Sequence, residues 1–421
     1  MADLALSEED EAMLDGADGP AARLCLRMVV ALARVRGASR LLRVASAHVD
    51  GCLYHGQAGL DFVERLGELG GRVAVPTTLN VGSLDLRHPD LVHADAETTA
   101  NARRLMAGYT ALGCTPTWTC APYQLTHRPS FGTHVAWAES NAIVFANSVL
   151  GARTDRYGDF LDIGAAITGR VPDAGLHQDA NRRATVRLDC AGLSRRLLAE
   201  DAAWGVLGHL AGRVAGSGVP VLTGVPDGVT EDRLKAFGAA AASSGGVGLF
   251  HVVGVTPEAP SLSAVAPADI PVHEVAAADL RAIRDELSTA RGRGIDALCL
   301  GTPHFSLTEF ARLAGLLGDG SPFHPDVRAW VTTSRAVLAE AERLGYAETA
   351  RTAGAQIVVD TCTYLTPILD AQVRTAMTNS GKWAWYAPGN IGVAVTLGSM
   401  AECVASARAG YLVRDEELWA S

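Results

Sequence analysis

The sequence predicts an α/β protein built on parallel sheets, and two observations carry that reading. From about residue 205, helical patterns alternate with short apolar runs at 247–254 (VGLFHVVG), 296–300 (DALCL), 328–333 (RAWVTT) and 355–359 (AQIVV). Strands that alternate with helices pair in parallel. The chain has 421 residues, 48% of them hydrophobic, which is enough to bury more than one core. Three regions are expected: an N-terminal α/β region at 1–204 that carries most polar motifs, an α/β subdomain and connector at 205–290, and a C-terminal α/β region at 291–421.

Taken in order, Ser7-Glu8-Glu9-Asp10 has the form of a capping box opening a short helix, interrupted by Gly16 and Gly19-Pro20. Residues 21–35 predict a buried helix. Leu41–Ala47 predicts a strand that runs into His48-Val49-Asp50-Gly51. A helix is expected at 59–69 and a strand at 72–75, followed by Pro76-Thr77-Thr78-Leu79-Asn80. Residues 95–112 predict another helix. The stretch 114–134 has no clear period, and a loop that long in a compact chain is usually functional. Polar residues at the exits of buried strands are where α/β proteins place their sites.

Composition excludes several classes. The net charge is −10 with 19% charged residues and no long basic run, so nucleic acid and anionic membranes have no electrostatic footing. The acidic start MADLALSEEDEAML is not a secretory signal, and no apolar run reaches the roughly 18 residues of a membrane span. A soluble, cytoplasmic protein is expected. The eight cysteines are scattered without a CxxC pair, which excludes a disulfide framework, a zinc ribbon or a ferredoxin. Most are expected to be small buried hydrophobes, and any metal site must be assembled from distant segments. GxGxxG, GxSxG and HExxH are absent from the sequence.

The densest segment is 134–162, HVAWAESNAIVFANSVLGARTDRYGDFLD. Glu139, Ser140 and Asn141 open a helix, Asn147 and Ser148 follow two turns later, and Arg153 and Arg156 lie just beyond it. Arginine forks and amides suit carboxylate recognition. Alternatively, Glu139 simply caps the helix and both arginines pair with Asp155 and Asp159. His48, Asp50 and His55 are candidates for metal ligation or proton transfer, or Asp50-Gly51 is a plain turn. Thr77, Thr78 and Asn80 either hold a carboxylate or cap the next helix. Cys120 in TWTCAPY and Cys362 in DTCT could ligate iron at strand exits, or be inert. Thr302-Pro303-His304-Phe305-Ser306 offers hydroxyls and an imidazole at a third exit. Thr378-Asn379-Ser380-Gly381-Lys382 looks like an anion cradle but lacks the P-loop arrangement; alternatively, Lys382 is a surface lysine.

HVDGCLYHG, VPTTLNVGSLDL, PTWTCAPYQ, AWAESNAIVFANSVLGARTDRYGDFLDI, GTPHFS, DTCTYLTPIL and MTNSGKWAWYAPGNIGV, in this order from about residue 7 to 415, resemble the aconitase X family. The resemblance implies an aconitase-like α/β/α architecture around a central cleft and dehydration of a small β-hydroxy acid. It implies an iron–sulfur cluster, of [2Fe-2S] type, or a mononuclear iron, held by Cys120 and Cys362 with Thr302 or His304 nearby. GTPHFS resembles the branch that dehydrates cis-3-hydroxy-L-proline to Δ1-pyrroline-2-carboxylate; the branch acting on phosphorylated mevalonate tends to carry cysteine where Thr302 stands. The resemblance gives His48, Asp50, His55, Glu139, His304 and Lys382 to catalysis, and Thr77, Thr78, Asn80, Ser140, Asn141, Asn147, Arg153 and Ser380 to substrate binding. The swivelling domain of the family is not in this sequence, so a separate small subunit is expected as partner, along with its serine near the substrate. The alternatives are another hydroxy acid or biosynthetic intermediate as substrate, and a metal-free, non-catalytic homologue.

Overall fold

The computed structural model describes residues 4–125, 128–318 and 320–420. Thr126 and His127, within the expected 114–134 loop, lie outside the described residues. The chain forms two compact units: one from residues 1–84 and 94–183, the other from 85–93 and 184–421.

The first unit contains a three-stranded parallel sheet. Ala47–Val49 sits in the middle, between Thr77–Leu79 and Ala136–Trp137. In chain order that is 2-1-3, so the connections leave the central strand in opposite directions. A crevice forms at the carboxyl end of such a strand. Helix Gly19–Val35 buries Cys25, Leu26, Val29, Val30 and Ala33. The Ser7 capping box is present, with Asp10 as the reciprocal partner.

The second unit has two parallel sheets. One has four strands: His251–Val252, Pro220–Thr223, Val186–Asp189 and Val272–Glu274. The other has five: Ala355–Val358, Arg328–Thr333, Ala297–Phe305, Thr375–Thr378 and Ala394–Leu397. The order of the five is 3-2-1-4-5, a doubly wound arrangement whose switch point lies between Ala297–Phe305 and Thr375–Thr378. Its core includes Leu298, Leu300, Phe305, Phe310, Leu313, Val331 and Met377.

Four expectations need correction. The run Leu41–Ala47 is two strands: Leu41–Arg43 pairs antiparallel with Arg170–Pro172, and the chain bends before Ala47–Val49 joins the parallel sheet. RVAV at 72–75 is not a strand, because Val73 and Ala74 donate to the carbonyls of Leu112 and Ala166 instead of to a ladder; the strand comes later, on the β-branched Thr77 and Thr78. At 247–254 only His251–Val252 pairs. The 296–300 strand runs on to Phe305, so Thr302 and His304 lie within it, where the register shifts between Leu300 and Phe305.

Helices Asp201–Ala215 and Glu231–Ser244 pack closely through small residues. A Cβ at Gly208 would lie 2.2 Å from the Phe237 carbonyl oxygen, which is backbone and cannot yield. Gly208→Ala should therefore destabilise by about 1–3 kcal/mol through overpacking, against the helix-propensity gain of at most about 1 kcal/mol. Urea unfolding measures this, and an unchanged or raised midpoint would show that the two helices separate freely.

Candidate functional site

The three parallel strands of the first unit end side by side on polar residues. Ala47–Val49 ends on Asp50, Thr77–Leu79 on Asn80, and Ala136–Trp137 leads to Glu139. The Asn80 amide donates to Asp50 Oδ1, and His48 Nδ1 lies 2.8 Å from the Thr78 hydroxyl. His48 Nε2 and Asn80 Oδ1 are buried with no partner among the described residues. Glu139 caps the helix Ser140–Phe145: Ala142 N donates to it at 2.7 Å, and Ser140 Oγ at 3.1 Å.

Asp162 holds this arrangement from behind. Its Oδ2 accepts from Asp50 N at 2.7 Å and Gly51 N at 3.2 Å, and its Oδ1 accepts from Ile163 N at 2.6 Å. Gly51 has no Cβ for a reason: one would meet Tyr109 Oη at 2.5 Å. Burial, with Glu139 and Asp159 nearby, pushes the Asp50 carboxyl up to about 8. Burial, with Asp159 nearby, pushes Asp162 up to about 7. Burial acts in the other direction on His48, lowering it to about 4 despite Glu139. At neutral pH His48 is therefore an uncharged base beside a carboxyl that keeps its proton.

Cys120 is buried in the same unit. The Asn141 amide donates to the Cys120 carbonyl at 3.1 Å and to Tyr123 Oη at 2.8 Å, so Asn141 fixes the Cys120 loop.

In the second unit the switch point carries its own cluster. Ser380 Oγ donates to the Thr302 carbonyl and accepts from Trp383 N at 3.1 Å, tying the two strand ends together. The Thr302 hydroxyl is buried without a partner among the described residues. A ring nitrogen of His304 lies within 4.8 Å of the Cys362 sulfur. His304 Nε2 is 3.1 Å from the Thr361 carbonyl oxygen. That contact makes Nε2 a protonated nitrogen, since a carbonyl can only accept. Lys382 is buried, not a surface residue, in the first turn of helix Gly381–Ile391.

Among the described residues, three non-glycine residues have left-handed backbone: Trp118 (φ 45°), Phe160 (φ 74°) and Asp360 (φ 67°). Each stands two positions before a residue just described, namely Cys120, Asp162 and Cys362. Such conformations are strained and persist only where the surroundings dictate them. At Asp360 the dictating contact is Arg335, whose Nε and Nη2 each lie 2.6 Å from the carboxylate.

Other expected residues are committed elsewhere. The Asn147 amide bonds the Thr154 backbone and Arg182. Arg153 pairs with Asp179 and donates to the His177 carbonyl, so it fixes the 175–182 segment rather than meeting Asp155 or Asp159. The Thr77 hydroxyl donates to Val75 O. His55 is exposed. Sequence reasoning missed Asp162, whose signal was an acid inside the apolar helix start LDIGAAIT. Six cysteines, Cys25, Cys52, Cys114, Cys190, Cys299 and Cys403, have thiols pushed up by burial, as inert packing groups should.

Family models for the first, second and third aconitase X domains match residues 3–180, 183–286 and 295–409. The chain belongs to the aconitase X family. It is 43% identical to the cis-3-hydroxy-L-proline dehydratase of Pseudomonas aeruginosa, over 98% of this chain and 71% of that protein. It is 41% identical to the Hypocrea jecorina protein of the same name, over 96% and 69%. It is 40% identical to the phosphomevalonate dehydratase large subunit of Methanothermobacter thermautotrophicus, over 92% and 95%. The crystal structure of Thermococcus kodakaraensis aconitase X in its holo form superposes with a TM-score of 0.87 at 35% identity, covering 96% of this chain and all of that one. The named relatives of this aconitase X chain are thus dehydratases.

The raised carboxyls make stability depend on pH. Folding holds protons on Asp50 and Asp162 that the unfolded chain releases near pH 4. Stability from these groups is therefore full below about pH 4 and falls as pH rises through 7 to 8. Asp50→Asn should flatten part of that fall. Urea titrations at a series of pH values test it, and a slope equal to wild type would mean that Asp50 is ionised in the folded protein.

Proposed function

We propose that this chain is a dehydratase that removes water from a small β-hydroxy acid, cis-3-hydroxy-L-proline, to give Δ1-pyrroline-2-carboxylate. The observation that carries the proposal is the approach of a His304 ring nitrogen to within 4.8 Å of the Cys362 sulfur, on a strand that also carries the buried Thr302 hydroxyl. An imidazole, a thiol and a hydroxyl form a donor set that fits iron. Cys362 with Thr302 or His304 would hold the metal, and Cys120 would join them as the family resemblance implies. When bound, iron supplies a Lewis acid for the departing hydroxyl oxygen. Whether it is mononuclear or a [2Fe-2S] cluster belongs to the same proposal.

The substrate has an acidic Cα–H beside its carboxylate and a hydroxyl on the neighbouring carbon. Loss of the proton from Cα and of hydroxide from the next carbon releases one water and leaves an enamine, which tautomerises to the cyclic imine. His48, uncharged at neutral pH, has a buried Nε2 that can accept a proton. Asp50 keeps its proton and can donate it. Two groups whose pKa values are driven apart divide acid and base roles. Thr78, Asn80, Ser140, Lys382 and Ser380 would orient the substrate, with Asn141 and Glu139 holding the elements that carry them.

The substrate assignment is supported by the two relatives of that name at 43% and 41% identity. A small partner subunit is supported by the words "large subunit" in the name of a relative that this chain covers to 95%. A cytoplasmic setting suits Cys25, Cys52, Cys114, Cys190, Cys299 and Cys403, which form no disulfide among the described residues. No helix among the described residues is long and apolar enough to cross a membrane.

Cys362→Ala and Cys120→Ala should each abolish bound iron and lower anaerobic turnover by at least about 100-fold, the upper range for a lost metal-site partner. Iron analysis and pyrroline formation read this out, with the small subunit supplied. Full turnover by the double variant would sink the proposal. Turnover of phosphorylated mevalonate in place of hydroxyproline would keep the chemistry and move the substrate.

A further inference from the structure

Only two of the 36 basic residues of this chain are lysines, Lys235 and Lys382; the rest are arginines. Both lysines are buried. A chain that uses arginine nearly everywhere has kept lysine where a compact, tetrahedral donor is needed and a planar fork does not fit.

Lys235 lies on helix Glu231–Ser244, and all three of its N–H donors have acceptors. Nζ donates to Glu309 Oε2, lies 3.2 Å from Asp232 Oδ1, and donates to the His304 carbonyl oxygen at 3.3 Å. The two carboxylates reach on to the same segment. Glu309 Oε2 accepts from Ser306 N at 2.8 Å, and Asp232 Oδ2 accepts from Ser306 Oγ at 2.9 Å. Between these ties, the Thr333 hydroxyl donates to the Phe305 carbonyl at 2.9 Å. Every backbone carbonyl from His304 to Phe305 is thus held by a buried side chain, and the His304 ring is aimed by the Thr361 carbonyl. Lys235 also lines a pocket with Thr302, Ser380 and Gly381 that has room for about one water.

We propose that Lys235, locked by Glu309 and Asp232, is a positioning residue that fixes the His304 imidazole for the reaction centre. This rests on the dehydratase reading and deepens it. A buried ion triad is a poor source of stability, so its return must be sought in the segment it orients. Lys235 touches the His304 backbone, which sets where the ring starts. Loss of the ammonium frees that carbonyl and lets the imidazole drift from Cys362.

The test is a double-mutant cycle of Lys235→Met and His304→Ala, read by the rate of iron loss to a chelator and by kcat and KM. Lys235→Met should speed iron release or lower kcat by about 10- to 100-fold, the range for outer partners of metal ligands, with KM little changed. In the His304→Ala background the same change should add almost nothing. Equal penalties in both backgrounds would make Lys235 a stability residue and overturn the inference. If Lys235→Met does not fold, Glu309→Gln takes its place, since it leaves Lys235 paired with Asp232. It should speed iron release measurably, and iron retention equal to wild type would overturn the inference. A wild-type chain that retains no iron overturns the dehydratase reading and this inference with it. Wild-type iron retention with a silent Lys235→Met overturns this inference alone.

Discussion

Buried backbone that belongs to no helix or strand must still find acceptors for its N–H groups, and in this protein carboxylates supply them. Asp162 accepts from the amides of Asp50, Gly51 and Ile163. Asp85 accepts from Arg87, His88 and Val359, and Asp296 from Arg374 and Thr375. Glu402 accepts from Ser399 and Asp415. Asp162, Asp85 and Asp296 each tie a strand end to a segment remote in sequence. Two of the strained residues lie near such ties: Phe160 stands two positions before Asp162, and Asp360 follows Val359, whose amide donates to Asp85. A strand end that would otherwise fray becomes a fixed platform, and the reactive side chains are carried on those platforms.

Parallel sheets then decide where the platforms lie. In the first unit the order 2-1-3 brings Asp50, Asn80 and Glu139 to neighbouring strand ends. In the second the order 3-2-1-4-5 brings Thr302 next to Ser380. Both clusters occupy the position where successive crossovers diverge. The chemistry is thus a consequence of winding order as much as of residue type.

Much of this was legible in the sequence. The alternation after 205 gave the parallel sheets, and the motifs HVDG, PTTLN, WAES, GTPHF and TNSGK each sit at or near a strand end. What sequence periodicity could not convey was local geometry. RVAV has the composition of a strand, yet its amides bond outside any ladder, while polar Thr77-Thr78-Leu79 pairs. Asn147 and Arg153 look like substrate contacts by composition, but each is used up holding a turn. Asp162 and Lys235 were invisible for the opposite reason. Each sits in an apolar or Ala-rich helix, and most of its partners are remote in sequence: Asp50 and Gly51 for Asp162, His304 and Glu309 for Lys235.

The protonation of the first cluster bears on which substrates can approach. Asp50, Glu139, Asp159 and Asp162 stand close enough to influence one another. Were all four ionised, they would repel a substrate carboxylate at short range in poorly screened surroundings. Burial removes part of that repulsion by keeping protons on Asp50 and Asp162 near neutrality, while the same burial keeps His48 free of one. Desolvation therefore does two things at once: it leaves a vacant lone pair to accept a proton, and it lowers the negative charge that a β-hydroxy acid must meet. An acidic protein with a net charge of −10 in this way carries less negative charge at these strand ends than its acid content implies. The balance would be lost if water entered the strand ends, because hydration would ionise the carboxyls and charge the histidine together.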